Sequence, residues 1–307
     1  MKKQHSNTRL LCQLSAVAAL VLSGNAMADE AFSADSKWMT GDWGGERTKL
    51  IEQGIDIKAD YVGEMGANLH GGYNDDKTGR YSDQFGLGVA FDLQKLLGWD
   101  NTQAKIQLTN RNGQNISNDR IGDPRAGTLS SSQEVYGRGH MVRLTQLWVQ
   151  HQFLDGKLDV KAGYFGEGED FNTFPCDFQN LAFCGSQVGN WATGIWYNWP
   201  VSQAALRIKY NITPELYAQI GAYNQNPSQL EHGNGFKLSG SGTKGTVLPV
   251  ELVWSPKLNS LPGEYRVGYY KSTADANDVR KDVNGQDAAN TGDAYRVHNS
   301  KHGYWFV

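Results

Sequence analysis

Two cysteines eight residues apart, Cys176 and Cys184 in FPCDFQNLAFCG, are the first residues whose type and spacing suggest chemistry. In an exported chain such a pair reads as a loop disulfide made in an oxidising compartment. Two cysteines cannot complete a tetrahedral zinc site, and no histidine pair completes one either. His70, His140, His151, His232, His298 and His302 are scattered, mostly over stretches that read as loops. Gly-x-Ser-x-Gly, His-Glu-x-x-His and the phosphate-binding Gly-x-x-x-x-Gly-Lys-Ser/Thr are all missing. The acidic stretch ADANDVRKDVNGQD (274–287) misses the calcium-loop register, because Gly285 puts Arg280 at the first ligand position. It reads as a solvated loop. No enzyme, metal or cofactor is expected.

The charges that remain lie on alternating segments. In GIDIKADYVGEM (54–65), Ile55, Ile57, Ala59, Tyr61 and Met65 share one face of a strand, while Asp56, Lys58, Asp60 and Glu64 share the other. The same division puts Lys58, Lys105, Arg111, Lys161, Arg207, Lys209 and Arg266 on polar faces. Asp56, Asp60, Glu64, Asp92, Asp159, Glu251 and Glu264 join them there. The two signs balance. A pore strongly selective for one ion sign needs a one-signed field, so a balanced interior suits a neutral polar solute.

The elements that position these residues are strands. Alternation predicts them near 55–65, 83–93, 104–111, 142–153, 158–166, 202–212, 216–223, 247–254 and 264–272, with a tenth starting near 303. A short helix precedes them over Glu46 to Gln53, stopped by Gly54. The connections alternate in length. Those at 66–82, 112–141, 167–201, 224–246 and 273–302 are long; the ones between, such as LDGKL (154–158) and TPE (213–215), are tight. That is the pattern of an outer-membrane barrel, with short turns at one end and long loops at the other. The apolar faces then look at lipid and the charged faces at water inside. A charge turned toward lipid would cost up to ~2–4 kcal/mol at mid-depth.

One long connection stands apart. Residues 167–201 combine Glu167, Glu169, Asp170 and Asp177 with Phe171, Phe174, Phe178, Trp191, Trp196, Tyr197 and Trp199. Folding inward would bury these rings and narrow the pore. Aromatic faces there can stack on a pyranose ring while nearby charges hydrogen-bond its hydroxyls. An aromatic girdle at the membrane interface is the other reading for Trp196 and Trp199.

The first residues address the chain for export. Lys2, Lys3 and Arg9 precede the apolar LLCQLSAVAALVL (10–22), and AMA (26–28) offers small residues for cleavage after Ala28. The expected organisation is a signal peptide (1–28), a polar segment with the short helix (29–54), and a barrel domain (55–307). Removing the first part takes three basic and no acidic residues from a chain of formal net charge −3. No basic stripe suggests nucleic acid as a partner.

GDWGGERTKLIEQGI, followed directly by an alternating strand, resembles the N-terminal hallmark of the carbohydrate-selective porin family (OprB-type). VRLTQLWVQHQF, FPCDFQNLAFCG and LPVELVWSP are similar to that family's segments, and the resemblance runs from about residue 38 to 307. It implies an all-β, transmembrane, antiparallel up-and-down barrel of sixteen strands in the bacterial outer membrane. About ten strands fall within this chain, which therefore reads as truncated before the barrel closes. It further implies a homotrimer in outer-membrane lipid that passes glucose-like monosaccharides by diffusion, constricted by the loop after the fifth strand. Arg111 and Trp199 become the first candidates for touching sugar, with Lys105, Glu167, Asp170, Asp177 and Trp196 beside them. Lys58, Asp60, Glu64, Lys161, Arg207, Lys209, Glu251 and Arg266 are expected to line the pore. The alternative is a general diffusion porin without sugar preference.

Overall fold

The computed structural model describes residues 31–34, 36–124, 130–192 and 194–307. The expected export segment 1–28 and its cleavage after Ala28 lie outside them. The chain divides into two compact units, one up to Asp56 and one from Ile57 onward.

In the first unit a helix spans Glu46–Glu52, close to expectation, and Gly54 follows at φ +98°, a conformation natural to glycine. Ahead of it, Asp42 Oδ1 accepts from the Thr48 N–H at 2.9 Å and the Thr48 hydroxyl at 2.8 Å. The Arg47 guanidinium lies over the rings of Trp38 and Trp43, 4.7 and 4.4 Å from their centroids. Two aromatic faces thus hold a buried cation that donates to the Gly41 carbonyl at 3.3 Å.

The strands are β1 (Ile55–Asn68), β2 (Thr78–Asp92), β3 (Thr102–Gly113), β4 (Met141–Phe153), β5 (Leu158–Phe165), β6 (Gln203–Thr213) and β7 (Leu216–Gln225). They continue as β8 (Gly245–Trp254), β9 (Lys257–Leu258), β10 (Leu261–Pro262), β11 (Tyr265–Ser272), β12 (Ala276–Asp282), β13 (Tyr295–His298) and β14 (Lys301–Phe306). Ten of them form one sheet in the order β1-β2-β3-β4-β5-β6-β7-β8-β11-β14, each beside its predecessor in the chain. The pairs β9/β10 and β12/β13 are separate small hairpins within connections.

Side chains alternate strictly along β8 and β11. Along β8 the odd positions Val247, Val253 and Glu251 are buried while Leu248, Val250, Leu252 and Trp254 are exposed; β11 shows the same pattern. Large apolar residues therefore face outward and charged ones inward, the inverse of a soluble sandwich and the division a lipid-facing sheet requires.

The sheet must also curl. In a flat sheet β2 and β14 would lie eight strand spacings, about 38 Å, apart. Yet Trp199 donates to Gln84 of β2 at 2.9 Å, and Trp196 packs on Trp305 of β14 with ring centroids 5.5 Å apart. Three residues of chain span at most about 11 Å. Only a sheet wrapped around this segment brings both walls to it.

Two expectations change. The first long connection shrinks to 69–77, because β1 runs to Asn68 and β2 begins at Thr78. Asp92, expected in the lumen, instead caps the turn after β2: its Oδ1 accepts from Gln94 and Lys95 N–H at the start of the helix Leu93–Leu97.

Candidate functional site: an inward segment and its constriction

The chain leaves the wall after Phe165 and rejoins it at Gln203. What lies between packs inside the sheet. Phe171, Val188, Ala192, Ile195 and Trp196 from this segment form one apolar cluster with Phe165, Tyr223, Val247, Tyr270 and Trp305 of the wall. Phe171 and Trp196 are 0 and 1 % exposed, so they work as packing, not as surface. The rings hold the segment by burial, each contributing roughly 1.5–3 kcal/mol.

Charge pairs complete the attachment. Lys161 Nζ lies 2.9 Å from Asp170 Oδ2 and 3.3 Å from Glu169 Oε2, and 4.1 Å from the centroid of the Phe165 ring. Arg207 Nη1 donates to Asp159 Oδ1 at 2.6 Å, with its Nε 3.6 Å from Asp170 Oδ1. Glu251 gathers four donors: the Asn172 N–H, the Gln219 amide, Arg266 Nη1 and Trp305 Nε1, at 2.8 to 3.0 Å. Burial raises the Glu169 carboxyl above the ordinary range while Lys161 pulls it back down.

Residues 130–140 of the connection after β3 also turn inward. Gln133 is fully buried, and its amide lies within donating distance of the Glu64, Arg80 and Gln114 carbonyls and the Ser82 hydroxyl. Glu64 accepts the Val135 N–H at 3.0 Å. The two inward segments hold each other through Glu134 N–H to the Gln179 carbonyl and Leu181 N–H to the Ser131 carbonyl, at 2.9 and 2.8 Å.

Between them lies a cavity of about 350 Å³, lined by Gln84, Arg111, Glu134, Glu169, Asn198, Trp199 and the Cys176–Cys184 disulfide, among others. Gln84 Oε1 accepts from Arg111 Nε at 2.8 Å and from Trp199 Nε1 at 2.9 Å. Arg111 Nη2 stands 3.9 Å from Glu134 Oε2, beyond hydrogen-bonding distance. Arg111 Nη1 also donates to the Glu134 carbonyl at 3.4 Å and Arg111 is 8 % exposed, so the Glu134 carboxylate is the more open of the two groups. Burial raises the Glu134 carboxyl against the opposing pull of Arg111. The cavity thus offers a cationic donor, carboxylate acceptors and a half-buried indole, which together suit vicinal hydroxyls on a ring with an apolar face.

The sequence-predicted residues separate by position. Arg111 and Trp199 come together at the cavity. Lys58 and Asp60 are exposed on β1, and half-buried Lys105 on β3 lies within electrostatic reach of them. Lys209 is half-buried, its Nζ 5.3 Å from the centroid of the Tyr217 ring. Asp177 is exposed beside the disulfide. Glu167 is wholly buried and Asp170 sits in ion pairs, so neither is open to the cavity. Glu64, Lys161, Arg207, Glu251 and Arg266, expected to line a pore, lie 4 to 8 % exposed. They pair with one another and with groups of the inward segments. Gln84 and Glu134 were missed. Asp278, Asp282 and Asp287 in the acidic 274–287 stretch are engaged by the chain's own N–H, hydroxyl and cationic groups.

The carbohydrate-selective porin, OprB family, matches the chain over residues 76–307. The chain is 65 % identical to Porin B of Pseudomonas aeruginosa over its whole length, covering 68 % of that protein. It is 43 % identical to the putative porin QuiX of Acinetobacter baylyi, covering 95 % of this chain and 66 % of the other. A high-pH structure of Pseudomonas putida OprB superposes with a TM-score of 0.88 at 68 % identity, over 90 % of this chain and 66 % of that one. A low-pH structure of the same protein gives 0.52 at 38 % identity, over 90 % and 74 %. The chain spans about two thirds of the length of these relatives. It belongs to the OprB family of carbohydrate-selective porins.

Proposed function

We propose that this chain forms the wall and constriction of a water-filled outer-membrane pore that passes glucose and related monosaccharides by passive diffusion, without catalysis. The observation that carries the reading is the meeting of Arg111 and Trp199 at Gln84 beside the half-buried Glu134 carboxylate. A guanidinium edge and a carboxylate exchange hydrogen bonds with ring hydroxyls while the indole covers the ring's apolar face. Each contact is weak, which flux requires, because a pore must release what it binds.

In this reading the outward apolar residues of β6, β7, β8 and β11 face outer-membrane lipid. The signal peptide 1–28 is cleaved after Ala28, and the protein works as a homotrimer. Ion current through single channels in a planar bilayer tests the proposal. Glucose should reduce the current reversibly by occupying the constriction. A current indifferent to glucose would leave a general diffusion porin, in which the inward segments set only a size limit.

A further inference from the structure

Glu167 lies where the inward segment leaves β5, yet its side chain reaches the place where that segment prepares to return. It is fully buried, and Oε2 accepts the Tyr197 N–H at 3.1 Å. Tyr197 is two residues from Trp199. Between them, the Asn198 amide donates to the Ser186 carbonyl at 2.6 Å. A Cβ on Gly168 or Gly189 would fall 2.4 or 2.3 Å from that amide, so the two glycines close on it and leave the strap little room to slide. Trp199 is therefore held at its tip by Gln84 and at its root by Glu167.

We propose that Glu167 is a positioning residue for the sugar constriction, and that the proton on its carboxyl keeps Trp199 in place; this rests on the sugar-porin reading above. Glu167 Oε1 and both terminal atoms of Gln203 are buried and make no well-formed hydrogen bond, although the Gln203 side chain stands close enough to act on the Glu167 carboxyl. A carboxylic acid can donate its O–H to the Gln203 amide oxygen, which satisfies two of them at once. No ion pair among the described residues includes Glu167. Glu167 acts on the hydroxyls of Tyr197 and Tyr223; Arg138 also acts toward Tyr197, and Asp170, Glu169 and Arg207 toward Tyr223. Lys161 is committed to Glu169 and Asp170. Burial outweighs the Glu167 and Tyr197 N–H groups and the Gln203 side chain, which favour the anion, and pushes the Glu167 carboxyl up to about 8. Above that pH the buried anion lacks a countercharge, and the Tyr197–Trp199 strap yields.

Liposome swelling from pH 6 to 9.5, comparing glucose with the acyclic polyol sorbitol, tests this. The wild-type glucose-to-sorbitol ratio should fall at least threefold with a midpoint near pH 8. Glu167→Gln, which stays neutral, should hold the ratio flat. Glu167→Asp keeps the acid but cannot reach the Tyr197 N–H, and should show the low ratio at every pH. A wild-type ratio unchanged to pH 9.5 would overturn the proposal, whether or not the variants insert. So would a Glu167→Gln profile that follows the wild type. A wild type with no glucose preference at any pH would count instead against the sugar-selective reading on which this rests.

Discussion

Arg111 and Trp199, 88 residues apart in sequence, donate to the same oxygen, Oε1 of Gln84. One comes from the wall and the other from the inward segment, so the amide ties the two sides of the cavity together. Because the oxygen is filled by two donors, both side chains are fixed in direction before a solute arrives. That pre-organisation lets weak contacts discriminate without slowing release.

Gln84→Leu should therefore loosen the constriction without unfolding the protein. Two neutral or charge-assisted hydrogen bonds are worth about 1–3 kcal/mol each, a loss the rest of the barrel tolerates. The glucose-to-sorbitol swelling ratio should drop severalfold while thermal unfolding in detergent shifts only a few degrees. An unchanged ratio would remove Gln84 from the site.

Arg111→Lys keeps the charge but not the planar fork. The lysine cannot donate to Gln84 and present a second edge toward Glu134 at once. Sugar preference should fall with little change in stability, and Arg111→Ala should alter sugar flux further still. Equal glucose block in bilayer recordings of Arg111→Lys would mean that charge alone matters there.

How much of this could be read from residue order depends on range. The alternation in GIDIKADYVGEM is local, and it fixed the face of Lys58 and Asp60 because strand geometry allows no other arrangement. The concentration of large rings in 167–201 pointed to it as the inward segment. The state of Lys161 and Arg207 was not legible, since their burial depends on carboxylates that arrive from that segment. Trp196 and Trp199 look alike in sequence, yet one packs on Tyr270 and Trp305 and the other borders the cavity. Gln84 is a neutral polar residue on an alternating strand, and nothing local separates it from its neighbours there. The inward course of 130–140 was not legible, since Gln133 is held by groups of Glu64, Arg80, Ser82 and Gln114 that come from elsewhere in the chain.

Lys161→Met should weaken the attachment of the segment to the wall. Breaking a buried ion pair costs roughly 3–5 kcal/mol, because Glu169 and Asp170 are left close together without their shared cation. Urea unfolding should move to lower concentration, and a disaccharide excluded by the wild type should begin to permeate. Wild-type behaviour in both assays would show that the apolar cluster alone holds the segment.

Stability should also depend on pH with a definite sign. The Glu167 carboxyl is raised in the folded protein to about 8, against about 4.5 in an unfolded chain. Between these values the folded state binds the extra proton, so its stability falls as pH rises. The contribution is complete below about pH 4.5 and lost once pH passes about 8. Thermal unfolding of the wild type should drop across that window relative to Glu167→Gln, after buffer effects shared by both are subtracted. Parallel curves for the two proteins would contradict the assignment.

The central claim is that the cavity at Arg111, Gln84 and Trp199 recognises sugar, not merely size. Swelling rates of liposomes carrying the protein, measured with glucose and with a neutral non-sugar solute of equal size, test it most directly. Faster swelling with glucose is the predicted result. Equal rates would reduce the constriction to a plain sieve and contradict the account.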